Sequence, residues 1–357
     1  MKLQNVQALR AVAALLVVAV HLYGIEAKYL LGWPWLSPLH IYGQFGVDLF
    51  FVISGAVMTI TAWKSFGAAS SAWRFIGRRV TRIVPPYWLV SGLILPFYLY
   101  RPALFNPHSA HAPNVWASFL LLPQAGEPLL IVGWTLVYEM FFYLVFTLTL
   151  LFQRRLMPLI IGLWAVSFIM VRVWVPVSTP FLRVISSPMN GEFVFGIMIG
   201  ALFMRRRLYA PHAFFAVALF LLCGTLWVTA QLRDDYISVN WSRLAYVGIP
   251  MALLVYGALG LEQCFAQVAP KLLQRIGDSS YSLYLWHVPI LTVLGFALHY
   301  THFQGFGAHL GLVVVGYAVV VSASIILYRR IERPLLTACQ KPIKSPTGKR
   351  IASTNAW

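Results

Sequence analysis

Ten apolar runs divide this chain, at residues 6–25, 41–62, 85–104, 133–152, 156–175, 190–204, 212–231, 244–261, 280–299 and 309–328. A bilayer's hydrocarbon core takes about 20 helical residues to cross, and backbone polar groups inside it must be satisfied within the segment. Runs of this length therefore fold as helices, and their succession leaves room for little else. The run at 190–204 is short, and 115–131, broken by Pro123, Gly126 and Pro128, reads as a loop or re-entrant piece. Hydrophobic residues fill 60% of the 357 positions and charged residues only 10%, whereas soluble domains carry about 25% charge. The expectation is an all-α, polytopic transmembrane bundle of about ten helices. One domain occupies residues 1–335, and 336–357 form a basic cytoplasmic tail, expected to be disordered.

The basic residues test that count. With alternating helices, twenty-one of the 27 Lys and Arg residues fall on the side of the N-terminus and six on the other. This asymmetry predicts cytoplasmic N- and C-termini. It also assigns the net charge of +17 to topology and to anionic lipid at the tail, not to nucleic acid. Arg10 interrupts the first run and no small-x-small site follows, so the N-terminus does not read as a cleaved signal peptide. Cys223, Cys264 and Cys339 are scattered, with neither metal-ligand spacing nor a disulfide framework, and no metal is expected.

Ionisable groups inside such runs are costly and mark pathways, ligands or proton sites. Arg10 and His21 stand eleven residues apart, which places them on nearly one helix face and roughly 16 Å apart along the axis. Depth counted from the helix ends brings Asp48 and Glu139 level with His21, in one outer-leaflet pocket. A histidine beside a carboxylate is what general-base chemistry needs; the alternative is that these acids only bind the bundle together. On the cytoplasmic side Arg78 and Arg82 share a helix face with Arg79 beside them, a grouping that suits the phosphates of a nucleotide-type donor or a plain positive-inside flank. Pro85-Pro86 is expected to break the basic segment from the following span. Tyr281, Tyr284 and Trp286 read as an aromatic belt, whereas His287 is too far inside to be an anchor. Glu332 reads as neutralising the arginines around it, and Glu192 as a helix N-terminal dipole partner.

These segments together resemble the integral-membrane acyltransferase-3 family. Arg10 and His21 match its first-helix R-x10-H motif; FFVISG ending at Gly55, the Arg78/Arg79/Arg82 run, WTLVYE ending at Glu139 and SYSLYLWH ending at His287 follow in the family's order. The resemblance covers essentially the whole chain and implies O-acylation, usually O-acetylation, of extracytoplasmic carbohydrate from cytoplasmic acetyl-CoA, in the bacterial inner membrane. It is nearest to the stand-alone enzymes that decorate exopolysaccharide, O-antigen or lipid-linked repeat units, without a fused hydrolase-like domain. On that resemblance Arg10, Arg78, Arg79 and Arg82 hold the donor phosphates. His21 deprotonates the acceptor hydroxyl or accepts the acyl group itself, with Glu139 or Asp48 orienting it. Trp134, Trp286, His287 and Ser54 are expected to contact substrate, and amides near Ser54 and Gly55 to receive the oxyanion. Two rivals use the same buried charges: a transporter or flippase of a lipid-linked saccharide, and a non-catalytic component of a polysaccharide complex.

Overall fold

In the computed structural model, which describes residues 3–30, 42–102, 111–232, 240–301 and 304–339, ten helical stretches are long and apolar enough to cross a membrane. No strand occurs among the described residues. The helices are α1 (Gln4–Tyr29), α2 (Phe45–Ala62), α3 (Ala69–Tyr100), α4 (Val115–Phe119), α5 (Gly133–Leu150), α6 (Met157–Trp174) and α7 (Pro180–Ile185). They continue with α8 (Asn190–Met204), α9 (Pro211–Leu232), α10 (Ile249–Phe265), α11 (Lys271–Asp278), α12 (Ser280–Thr301), α13 (Phe306–Leu327) and α14 (Arg333–Cys339). The tail beyond residue 339 lies outside the described residues.

The first helix is the axis of the bundle. Ala8, Ala11, Ala13, Ala14 and Ala19 are all buried along α1, and such small side chains let neighbouring backbones approach closely. A Cβ on Gly46 would overlap the Ala13 carbonyl, and one on Gly277 the Gln7 carbonyl, so α2 and α11 lie directly against α1. The most extensive helix pair is α2 with α8. There Gly55, Gly196 and Gly200 meet backbone to backbone, and a Cβ at Gly200 would come within 2.7 Å of the Ala56 carbonyl oxygen. Three apolar clusters fill the bundle, and Phe50 packs at the edge of all three. Lipid tails are as apolar as the protein, so what such packing contributes is dispersion contact and close fit, not escape from water.

Three expectations change. The Pro85-Pro86 pair does not break the chain: α3 runs unbroken from Ala69 to Tyr100. The two prolines withhold N–H groups from the Thr81 and Arg82 carbonyls, but one face of the helix (Phe75, Ile83, Pro86, Tyr87, Val90) is buried and holds it together across them. The short run at 190–204 is completed by α7, so that Pro180–Met204 makes one span with a turn in it. The 115–131 stretch is indeed not a span, but it does more than connect. Ser118 Oγ accepts from the Leu129 N–H at 3.0 Å and from Gln124 at 3.2 Å, while Tyr87 donates to the Ser118 carbonyl at 2.9 Å. Leu129, Leu130 and Val132 are consequently buried, and α5 starts inside the bundle.

Candidate active site

A cavity of about 90 Å³ opens between α1, α2, α3, α5 and α12. By this measure about 10–15 Å³ accommodates one water, so the space suits an elongated group several atoms long. Arg10, Arg79, Arg82, Glu139, Tyr143 and Tyr281 make its polar part; Val47, Phe50, Phe51, Ile53, Val57 and Leu136 make its apolar part.

Each polar group is set by its helix. Glu139 Oε1 accepts from Ser54 at 3.1 Å and from Tyr143, one turn on along α5, at 2.5 Å. Arg79 sits in the middle of the buried face of α3, donates to Thr61 at 3.3 Å and lies 5.3 Å from the Phe75 ring centre. Arg82 is at the edge of that face, within electrostatic reach of Arg10 and Glu332. Glu332 is itself buried and accepts a hydrogen bond from Ser282. Arg10 makes no hydrogen bond to the protein among the described residues, and its guanidinium lines the cavity. Ser280 Oγ is also buried on the cavity wall, without a hydrogen-bond partner among the described residues. Three guanidiniums and an unmatched hydroxyl are the donor set that an anionic, phosphate-bearing ligand would satisfy.

The histidines form a second unit just beyond. His21 Nδ1 lies 3.0 Å from the Val17 carbonyl and 3.1 Å from His287 Nε2, and His287 Nδ1 lies 3.0 Å from the Leu283 carbonyl. A carbonyl only accepts, so each Nδ1 carries the proton and His287 Nε2 is an acceptor. His21 is left with an unprotonated Nε2 that has no protein partner among the described residues. That lone pair can take a proton or attack a carbonyl carbon.

The expected pocket of His21, Asp48 and Glu139 does not form. Glu139 belongs with the arginines, because α5 begins inside the bundle and depth counted from its first residue is too shallow. Asp48 pairs with Arg243, whose Nε and Nη2 lie 2.9 and 2.6 Å from its two oxygens, and both residues are buried. Arg243 thus leaves the set of loop cations. Glu192 stands in the first turn of α8 as expected, but buried and against Asp48. Arg78 lies outside the buried face of α3 and is exposed, so Arg79 and Arg82, not Arg78 and Arg82, enter the cavity. Gly55 faces α8, and the amides of Ser54 and Gly55 lie inside α2, which gives neither amide to an oxyanion. Ser54 does reach the cavity through its hydroxyl. Trp134 and Trp286 are half-buried against the core and do not line the cavity.

Four contributors escaped the sequence. Tyr281 and Tyr284 are not belt residues: Tyr281 donates to the Ile83 carbonyl at 2.7 Å, and Tyr284 donates to the Val132 carbonyl at 2.8 Å and bonds Thr135. The signal was their spacing with His287, one every third residue along one face of α12. Tyr143 stands one turn from Glu139, and Arg243 opens an apolar run.

A membrane-spanning bundle in which one helix carries both a cavity-lining guanidinium, Arg10, and an unprotonated imidazole nitrogen, at His21, has the make-up of a membrane-embedded transferase. The acyltransferase domain family matches residues 3–329, and the chain belongs to it, as its motifs foreshadow. It is 34% identical over 310 residues to the exopolysaccharide production protein ExoZ of Rhizobium meliloti (strain 1021), covering 82% of this chain and 90% of ExoZ. Nodulation protein 10 of Rhizobium leguminosarum bv. viciae is 25% identical over 300 residues, 73% of this chain and 78% of that protein. The peptidoglycan O-acetyltransferase OatA of Listeria monocytogenes is 24% identical over 327 residues, 81% of this chain but only 49% of OatA. No solved structure matches. The protein is a multi-pass membrane acyltransferase.

Proposed function

We propose that this enzyme transfers an acetyl group from acetyl-CoA, bound from the cytoplasm, to a hydroxyl of an extracytoplasmic polysaccharide or lipid-linked sugar in the bacterial inner membrane. One observation carries the proposal. On a single helix, α1, a guanidinium without a hydrogen-bond partner among the described residues lines the cavity at Arg10, and an imidazole nitrogen likewise without one follows at His21, roughly 16 Å further along the axis. The names of the relatives, exopolysaccharide production and peptidoglycan O-acetylation, favour a carbohydrate acceptor.

In this mechanism Arg10, Arg79 and Arg82 bind the donor's phosphates, and Ser280 adds a hydrogen bond. His21 Nε2 takes the proton of the sugar hydroxyl as its oxygen bonds to the thioester carbonyl carbon. The C–S bond then breaks, and the proton passes from His21 to the departing thiolate. The products are the sugar ester and free thiol. His287 is a positioning residue that keeps the His21 proton on Nδ1. Glu139 offsets part of the arginine charge and aligns Ser54 and Tyr143. General-base removal typically costs about 10²–10⁴-fold in rate.

The test uses membranes holding the protein, labelled acetyl-CoA and an acceptor polysaccharide. Wild type forms labelled ester, and His21→Ala and Arg10→Ala lose it. Ester formation by His21→Ala at the wild-type rate would sink the base assignment. No transfer to any acceptor, together with saturable movement of an unmodified sugar lipid, would support a transporter instead.

A further inference from the structure

The cavity stops short of the histidines. Among its lining residues Tyr284 and Phe50 meet edge to face, ring centres 6.1 Å apart, whereas neither His21 nor His287 lines it. Tyr284 lies one turn before His287 on α12, with ring centres 6.0 Å apart, so this aromatic pair is the partition between the two units. Its halves are held differently. Tyr284 is buried and pinned through its hydroxyl to Thr135 and to the Val132 carbonyl. Phe50 is only half-buried, makes no polar contact and stands where the three apolar clusters meet.

We propose that Phe50 is the acyl-length selector of this enzyme: its ring is the movable wall that a thioester passes to reach His21, and its volume limits the acyl chain to a short one. The inference rests on the donor reading of the cavity. If the arginine part holds phosphates, the acyl end of an extended donor that reaches the histidines points towards Val47, Phe50 and Tyr284, the last of which adjoins His287. There the walls are apolar apart from Thr135, which is already engaged with Tyr284. A wall of this composition accepts a hydrocarbon chain and excludes a charged one such as succinyl.

The experiment compares kcat/KM for butyryl-CoA with kcat/KM for acetyl-CoA, in wild type and Phe50→Ala. A ratio within one preparation does not depend on the folded fraction. One methylene in an apolar pocket changes discrimination by about 10–200-fold, so the butyryl/acetyl ratio should rise at least about tenfold in Phe50→Ala. Val47→Phe, which narrows the same end, should lower it. Phe50→Leu provides a smaller shift in the same direction if the alanine variant fails to fold. An unchanged ratio in a Phe50 variant that still transfers acetyl overturns the selector while leaving the acetyltransferase proposal intact. Absence of transfer from acetyl-CoA by wild type overturns both.

Discussion

Asp48 and Glu139 differ in what they should do when removed, and Asp48 makes the sharper case. Its carboxylate is fully buried and takes two charge-assisted bonds from Arg243, which is 4% exposed. Arg243 also donates to the Gln44 side chain at 3.2 Å and to its carbonyl at 3.1 Å. Breaking a buried ion pair from one side costs about 3–5 kcal/mol, mostly because the surviving charge is stranded. In Asp48→Asn the stranded guanidinium still feels Glu192, so the loss should lie at the lower end, about 3 kcal/mol, or roughly 150-fold in the folded-to-unfolded ratio. Arg243→Met leaves two neighbouring acids instead and should cost about 5 kcal/mol. Replacing the set together (Asp48→Leu, Arg243→Met, Glu192→Gln) removes every stranded charge and should recover most of the loss, since apolar replacements of buried ion pairs are often neutral. Thermal unfolding in detergent measures the stabilities, and acetyl transfer per folded molecule measures the chemistry. The triple variant should keep wild-type turnover within a few-fold. A triple variant that melts like wild type yet transfers acetyl a hundredfold more slowly would show that Asp48 serves His21 after all, and the geometric argument would fail.

Three further outcomes follow from the site. His287→Gln should lower kcat by about 2- to 12-fold, the worth of one neutral hydrogen bond, and should add no further loss in a His21→Ala background; steady-state kinetics of the single and double variants check both. Ser280→Ala should leave the melting temperature unchanged, because its hydroxyl has no hydrogen-bond partner among the described residues to lose, while raising the acetyl-CoA KM by about 2- to 12-fold if it binds donor. Gly196→Val places a branched side chain into the Val52 carbonyl and the Gly55 backbone, and overpacking of that kind costs about 1–3 kcal/mol or more, visible as a lower melting temperature with retained acetyl-CoA KM in the surviving protein.

The ten spans were legible because each is a continuous apolar run, a signal that owes nothing to tertiary context. Arg10 and Glu139 were legible as charges inside those runs, where chance rarely puts them, and Arg79 and Arg82 as part of a basic group just before the third run. What the sequence hid was depth. Counting from helix ends placed Glu139 beside His21, but α5 starts at a level set by the buried 129–132 segment and by Ser118, which no periodicity reveals. Partner choice was hidden too: Asp48 finds Arg243, 195 positions along the chain, in preference to a histidine that looked closer. The helix phase of α3 decided between Arg78 and Arg79, and that phase shows only once the buried face is known. Tyrosines at a membrane-facing position and tyrosines around a cavity look alike in sequence, since both need one apolar and one polar end.

The separation of charge from chemistry has a physical logic. A carboxylate paired with an imidazolium deep in a membrane must offset the desolvation of two charges, whereas two neutral imidazoles hydrogen-bonded to each other incur none of that cost. The backbone carbonyls of Val17 and Leu283 together with the His21–His287 contact fix both ring tautomers, so the orienting task that a carboxylate performs in soluble hydrolases is done here without a charge. Two acids, Glu139 and Glu332, instead stand among the arginines: Glu139 on the cavity wall and Glu332 within reach of Arg10 and Arg82. There a surplus of positive charge has a use, because on the proposed reading the donor brings phosphates to neutralise it. Binding the donor therefore completes the electrostatics of one end, while the other end needs only a hydroxyl, a thioester and a lone pair, none of them charged before the reaction starts. Phe50 and Tyr284 stand where the two regimes meet, which keeps the polar, phosphate-holding space from opening directly onto the neutral histidines.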